Sequence, residues 1–102
     1  MKTPLPPITH LRTRPVAVGH WRAFLAVARH LNFRAAAEEL ALTQGAVSQR
    51  IRLLESQLGF RLFIRMTRHI ALTEEGQRLL STLTQSLRRI NNEIEDMHMA
   101  WV

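Results

Sequence analysis

Cysteine is absent from the 102 residues, which excludes disulfides and thiolate metal sites. The five histidines, at positions 10, 20, 30, 69 and 98, form no short-spaced pair of the kind that holds a metal ion. A glycine-rich phosphate loop is also missing, and Ser48 has no histidine at a spacing that would activate it as a nucleophile. His20, His30 and Glu38 fall within helical patterns, and the two histidines read as helix-end or interface residues. The chain is therefore expected to be no enzyme and to need neither cofactor nor metal. No apolar run approaches the roughly 18 residues of a membrane span. The opening stretch, MKTPLPPITHLRTRP, lacks the uninterrupted apolar segment of a secretion signal. A cytoplasmic setting with no membrane contact is expected.

Lysine is nearly missing too. Of the 14 basic side chains 13 are arginine, set against 8 acidic ones. Arginine carries a planar fork of donors that suits phosphates and guanine edges. The imbalance is uneven: residues 1–73 hold 11 basic and 3 acidic side chains, whereas residues 74–102 hold 3 and 5. An anionic partner facing the front of the molecule fits this distribution. A chain of this length normally makes one domain with a modest core.

All four prolines lie in residues 1–16, which show no sustained periodicity. This segment reads as a flexible arm whose Arg12 and Arg14 are solvated. From about His20 to Leu31, the residues Trp21, Phe24, Leu25, Ala28 and Leu31 recur at intervals of three and four, the pattern of a helix with one buried face. Asn32 is placed to cap a short second helix, RAAAEELA, that turns Leu40 toward the core. Leu42 and Thr43 make the next turn, with Thr43 as the cap of a third helix. Val47, Ile51, Leu54 and Leu58 form its buried stripe, and Gly59 supplies a left-handed stop.

The opposite face of that third helix is unusual. Gln44, Ser48 and Arg52 align at intervals of four with Gly45 and Gln49 beside them, where a merely solvated face would favour lysine and glutamate. Two helices joined by a tight turn, the second exposing short polar side chains near its N-terminus, make the layout of a helix-turn-helix, which sets those side chains against base edges in the DNA major groove. After it, Leu62–Ile64 and Ile70–Leu72 read as two short strands around a tip containing Arg65, Thr67, Arg68 and His69. A small basic hairpin at that point is a wing. The alternative is a winged-helix module for binding an acidic protein without specific DNA binding, but it gives Gln44, Ser48 and Gln49 no task. RNA binding is disfavoured because the third helix exposes no aromatic side chain to stack on unpaired bases.

The ordered features of NFRAAAEELALTQGAVSQRIRLLESQLGFRLFIRMTRHIALTEEGQRLL resemble the DNA-binding region of LysR-type transcriptional regulators, over about residues 20–96. They are the paired alanines, the Thr-Gln turn, AVS, LE, LG, LF, Arg65, Arg68, LT and Gly76. TQGAVSQ is most similar to the branch containing the glycine-cleavage activator and the β-lactamase regulator. The resemblance implies that Thr43, Gln44, Gly45, Ser48, Gln49 and Arg52 face DNA, and that Arg65, Thr67 and Arg68 in the wing approach the backbone or minor groove. A glutamine amide pairs with an adenine edge and an arginine with guanine, so Gln44 and Gln49 are the expected base readers. The chain departs from its relatives at Gly45, where many have proline, and at Arg34-Ala35, where threonine then arginine is common. The backbone contact of the second helix is therefore expected from a shifted or a different side chain, with Arg34 the candidate. The proline-rich arm is a third departure.

Thr73 is placed to cap the last helix, with Glu74 and Glu75 at its positive end. Leu80, Leu83, Leu87, Ile90, Ile94, Met97 and Trp101 then continue a heptad seam for three repeats. Helical from Glu74 to about Met97, the segment is roughly 36 Å long, enough to project beyond the domain and pair with a second copy. The resemblance implies the same, since relatives dimerise through such a linker helix. They also continue into a C-terminal effector-binding domain, which this chain, ending at Val102, is expected to lack. The expected architecture is mainly α: a flexible arm (1–16), a winged helix-turn-helix of three helices and a two-stranded hairpin (17–73), and a long dimerisation helix (74–102). The expected activity is sequence-specific binding of double-stranded DNA by a homodimer, at an interrupted inverted repeat, to regulate transcription. RNA polymerase is a compatible partner for such a regulator, but the residues carry no readable contact with it.

Overall fold

A computed structural model describes residues 18–101. The expected arm, with Arg12 and Arg14, lies outside the described residues. Helix α1 spans Val18–His30, two residues earlier than its apolar pattern suggests. It closes through Leu31, whose backbone is left-handed (φ 50°) and whose N–H donates to the Val27 carbonyl at 2.6 Å. Asn32 then caps α2, Phe33–Leu40, by accepting from the Ala35 N–H at 2.9 Å.

The connection to α3, Gln44–Leu58, is three residues long. Ala41 takes a left-handed conformation (φ 57°), and the Leu42 N–H returns to the Ala37 carbonyl at 2.9 Å. Thr43 caps α3 by accepting from the Ala46 N–H at 3.1 Å. Gly59, at φ 86°, ends the helix in the conformation that costs glycine least.

Strands β1, Phe63–Arg65, and β2, Ile70–Leu72, pair antiparallel with Phe63 opposite Leu72 and Arg65 opposite Ile70. The first strand therefore begins one residue later than its apolar run implies and ends one later, at Arg65. Helix α4, Glu74–Ala100, is capped by Thr73 and runs three residues past the expected end.

The core lies where α1, α2 and α3 meet the base of the wing. Phe24, Val27, Val47, Ile51, Leu54, Leu62 and Phe63 are fully buried, each contributing about 1.5–3 kcal/mol through burial. The Phe24 and Phe63 rings meet in a tilted pair, 5.6 Å between centroids. Buried Ala23, Ala26, Ala36 and Ala37 let the first two helices approach closely. Trp21 and Leu40, expected inside, sit half-buried at the rim.

Two polar devices fix the wing. Glu55 of α3 is 8% exposed and its Oε2 accepts from the Leu62 N–H at 2.7 Å and the Phe63 N–H at 3.3 Å. Thr73 donates its hydroxyl hydrogen to the Arg61 carbonyl at 2.8 Å while accepting from the Gly76 N–H at 2.9 Å. Gly76 is required here by space, since a Cβ would stand 2.2 Å from the Leu62 carbonyl oxygen.

Helix α4 leaves the domain in stages. Leu79, Leu80 and Leu83 pack half-buried against the domain's own core, so the first turns of α4 serve the domain locally even where their spacing continues the heptad seam. Beyond them, Leu87, Ile90, Ile94 and Met97 are about half exposed and Trp101 is 89% exposed. At 1.5 Å per residue, the 27 residues of α4 reach about 40 Å.

Candidate nucleic-acid interface

The outward face of α3 is built by elimination. Its inward stripe is Val47, Ile51 and Leu54, and its one acid, Glu55, is turned into the base of the wing. What remains outside is mostly polar or positive, with Leu53, 46% exposed, the apolar exception. Thr43, Gln44, Gly45, Gln49 and Arg52 are exposed, and Ser48 is half-exposed among them. A Cβ added at Gly45 would meet nothing within 4 Å. Glycine is thus not required there by the fold, and the space in front of the first turn is open.

Two neighbouring elements extend this face. From the start of α2, Arg34 points to solvent, and from the hairpin, Arg65, Thr67 and Arg68 are exposed. Asn32, Arg34, Gln44, Arg68 and His69 line one recess, so the start of α2, the start of α3 and the wing tip share a surface. The tip is closed by the Met66 N–H donating to the His69 carbonyl at 2.8 Å. Nine of the ten residues expected to face DNA lie on α2, α3 or the wing and Thr43 caps α3 from the turn before it, and the recess draws Arg34, Gln44 and Arg68 together.

Arg65 differs from the other arginines. Its Nη2 donates to Ser48 Oγ at 3.3 Å, and its guanidinium carbon lies 4.7 Å from the centre of the Phe33 ring. It is held between α2 and α3 instead of extending freely from the hairpin. Sequence reasoning did not link Phe33 to the wing, and the separation of 32 positions between them leaves no local signal.

Histidines expected at helix ends stand close to that reading. His30 is the last residue of α1 and its Nε2 lies 2.7 Å from Glu39 Oε1, while Arg29 Nη2 donates to Glu39 Oε2 at 2.6 Å. The hydrogen bond from His30, with support from Arg29, holds the Glu39 carboxyl below its ordinary pKa. His20, the third residue of α1, borders Gln49 and Arg50 of α3. Among the described residues, no group of three metal-ligating side chains converges, and no helix is long and apolar enough to cross a membrane.

Comparison with known proteins matches this geometry. Residues 18–77 match the model of the bacterial regulatory helix-turn-helix proteins of the lysR family. The HTH-type transcriptional activator AmpR of Providencia stuartii is 54% identical over 80 residues, which are 76% of this chain and 27% of that protein. The glycine cleavage system transcriptional activator of Escherichia coli K12 is 43% identical over 97 residues, 88% of this chain and 28% of that protein. The chain thus spans about a quarter of the length of these relatives. Among solved structures, the DNA-binding domain of BenM in complex with catB site 1 DNA superposes with a TM-score of 0.69 at 29% identity, covering 78% of this chain and 89% of that one. With the family model matched across the helix pair, the hairpin and the start of α4, the chain belongs to the lysR family of bacterial regulatory helix-turn-helix proteins.

Proposed function

We propose that the chain binds double-stranded DNA sequence-specifically as a homodimer and thereby regulates transcription in the bacterial cytoplasm. The observation that carries this reading is the outward face of α3. It exposes Gln44, Gln49 and Arg52 around an open Gly45 and presents no acid, while arginines from α2 and the wing flank it. Gln44 and Gln49 read base edges from the N-terminal half of the recognition helix, with Ser48 and Arg52 beside them. Thr43, Arg34, Thr67 and Arg68 contact the backbone and set the register. The solved complex of a related DNA-binding domain with DNA supports duplex DNA as the partner.

Dimerisation rests on the outer part of α4. Leu87, Ile90, Ile94, Met97 and Trp101 leave an apolar stripe in solvent, and a second copy of the same helix is the partner that the heptad spacing suits. Leu80 and Leu83 join that seam at its root with whatever surface the domain leaves uncovered. Two-fold symmetry then places the recognition helices in major grooves about one helical turn apart, or a multiple of it, on an interrupted inverted repeat.

Titration of the purified chain against duplex DNA, single-stranded RNA and an acidic polymer tests the proposal. Sequence-dependent binding to the duplex is the expected result. Equal affinity for the acidic polymer would replace it with a charge-driven protein-binding role. Inserting about half a helical turn between the half-sites of a selected operator should weaken binding sharply, and unchanged affinity would remove the dimeric arrangement.

A further inference from the structure

We propose that Arg65 determines base specificity by acting through Ser48, a role that rests on the DNA-binding reading above. The guanidinium is held on two sides, over the Phe33 ring at 4.7 Å and by donation from Nη2 to Ser48 Oγ at 3.3 Å. Those contacts join the first residue of α2, the second turn of α3 and the end of β1. Cations favour the negative face of an aromatic ring, and the planar fork of arginine is pre-organised for a fixed hydrogen bond. Ser48 consequently meets DNA with a neighbour already attached.

The consequence lies in hydrogen-bond polarity. A free serine hydroxyl has one hydrogen to donate and two lone pairs to accept with, and it rotates to suit whatever it meets. At Ser48 a cationic N–H occupies one lone pair, and its positive field repels any second donor approaching the oxygen. The hydroxyl hydrogen is left for the outer side. Ser48 therefore acts as a donor toward DNA and takes acceptor positions in the major groove, namely guanine O6 or N7, adenine N7 or thymine O4. It rejects the amino groups of cytosine and adenine. Once Arg65 is removed, the same hydroxyl accepts as readily as it donates, and the discrimination is lost although Ser48 is still present.

Selection from a randomised duplex DNA pool, followed by sequencing, tests this with the full chain and five variants. Ser48→Ala identifies the base position that depends on the hydroxyl. Arg65→Ala should lower the preference at that same position about fivefold, the worth of one hydrogen bond. The Ser48→Ala/Arg65→Ala double variant should lose no more than either single variant, as expected of residues acting as one unit. Arg65→Lys keeps the charge but not the fork, so it should retain the parental salt dependence and still lose the preference. Phe33→Leu, which keeps apolar packing while removing the ring, should weaken the preference at the same position with no change in salt dependence. The inference is overturned if Arg65→Ala weakens all duplexes alike and leaves the Ser48 position intact, or if Arg65→Lys restores the preference. A parent chain that enriches no motif would overturn the DNA-reading function itself. An enriched motif that is insensitive to Ser48→Ala overturns only the role assigned to Arg65.

Discussion

Replacing Glu55 with alanine is expected to destabilise the domain by about 2–3 kcal/mol, although a glutamate on a helix is usually dispensable. Its carboxylate is the acceptor for two backbone N–H groups, Leu62 at 2.7 Å and Phe63 at 3.3 Å. Both residues are fully buried by their side chains, with Leu62 0% and Phe63 1% exposed, so water has little access to replace the lost acceptor. Hydrogen bonds to a charged group are worth about 1.5–3 kcal/mol each; counting the short bond fully and the longer one in part gives about 3–4 kcal/mol. Removing the carboxylate also relieves the cost of having buried a charge, which takes back about 1 kcal/mol. The ion pair with Arg61, at 3.4 Å with Arg61 63% exposed, adds at most a few tenths of a kcal/mol. For a domain of this size the loss corresponds to a fall in Tm of about 10–20 °C. The assay is thermal and urea unfolding by circular dichroism at fixed protein concentration, because the proposed dimerisation would make apparent stability concentration-dependent. Glu55→Gln, which keeps an acceptor oxygen near the same place, should lose less, about 1 kcal/mol. An alanine variant within about 0.5 kcal/mol of the parent, the range of an ordinary surface change, would refute the assignment of Glu55 as the tie between α3 and the wing.

Gly76→Ala places a Cβ 2.2 Å from the Leu62 carbonyl oxygen, and the forced separation of α4 from the wing should cost about 1–3 kcal/mol in a thermal melt. The depressed pKa of Glu39 means that its contribution to stability is fully present above the ordinary carboxyl value and is lost as pH falls through the lower, folded value; acid titration of unfolding should show this slope in the parent and not in Glu39→Gln. Leu87→Asp with Ile94→Asp puts charges on the exposed half of α4, and sedimentation should show monomers whose circular dichroism still reports a folded domain, since neither residue belongs to the core. Gln49→Ala should remove about 1–3 kcal/mol of discrimination at one base pair with non-specific affinity nearly intact. Arg68→Ala should instead weaken all duplexes alike and reduce the slope of log affinity against log salt by about one; a base-substitution scan and a salt titration separate the two.

Local chemistry made much of this architecture legible. Asn32, Thr43, Thr73 and Gly59 act within a turn of their own helix ends, and the residue types that stabilise such ends are few. The buried stripe of α3 was readable for the same reason, because a single helix imposes its period. Distant partners were not readable. Glu55 is one position beyond Leu54 and four beyond Ile51, which puts it at the edge of the inward face, but only the return of the chain at Leu62 and Phe63 decides that its carboxylate is buried. Leu83 has the spacing of a seam residue and is half-buried against its own domain, since periodicity specifies a face and not what covers it. The first strand shifted by one residue because an apolar run marks a buried segment without fixing where pairing starts, and pairing starts at Phe63 opposite Leu72.

Glu55 and Arg65 together explain how so small a domain presents an aligned surface. A hairpin of two three-residue strands is marginal in water by itself, and its exposed arginines add repulsion. The wing holds its position because Glu55 fastens its base to α3 from below, while Arg65 bridges its outer end to Ser48 and Phe33 from above. Helix α3 therefore carries the side chains proposed to read DNA together with Glu55 and Ser48, which tie it to the wing. Such coupling lowers the ordering cost when a ligand must be met by several elements at once. Gly45 fits the same logic. A glycine in the first turn of α3 costs about 1 kcal/mol of helix propensity relative to alanine, and nothing inside the domain needs the space it leaves. On the proposed function, the compensation comes from DNA approaching the backbone from outside, on the side that carries Gln44, Ser48 and Gln49.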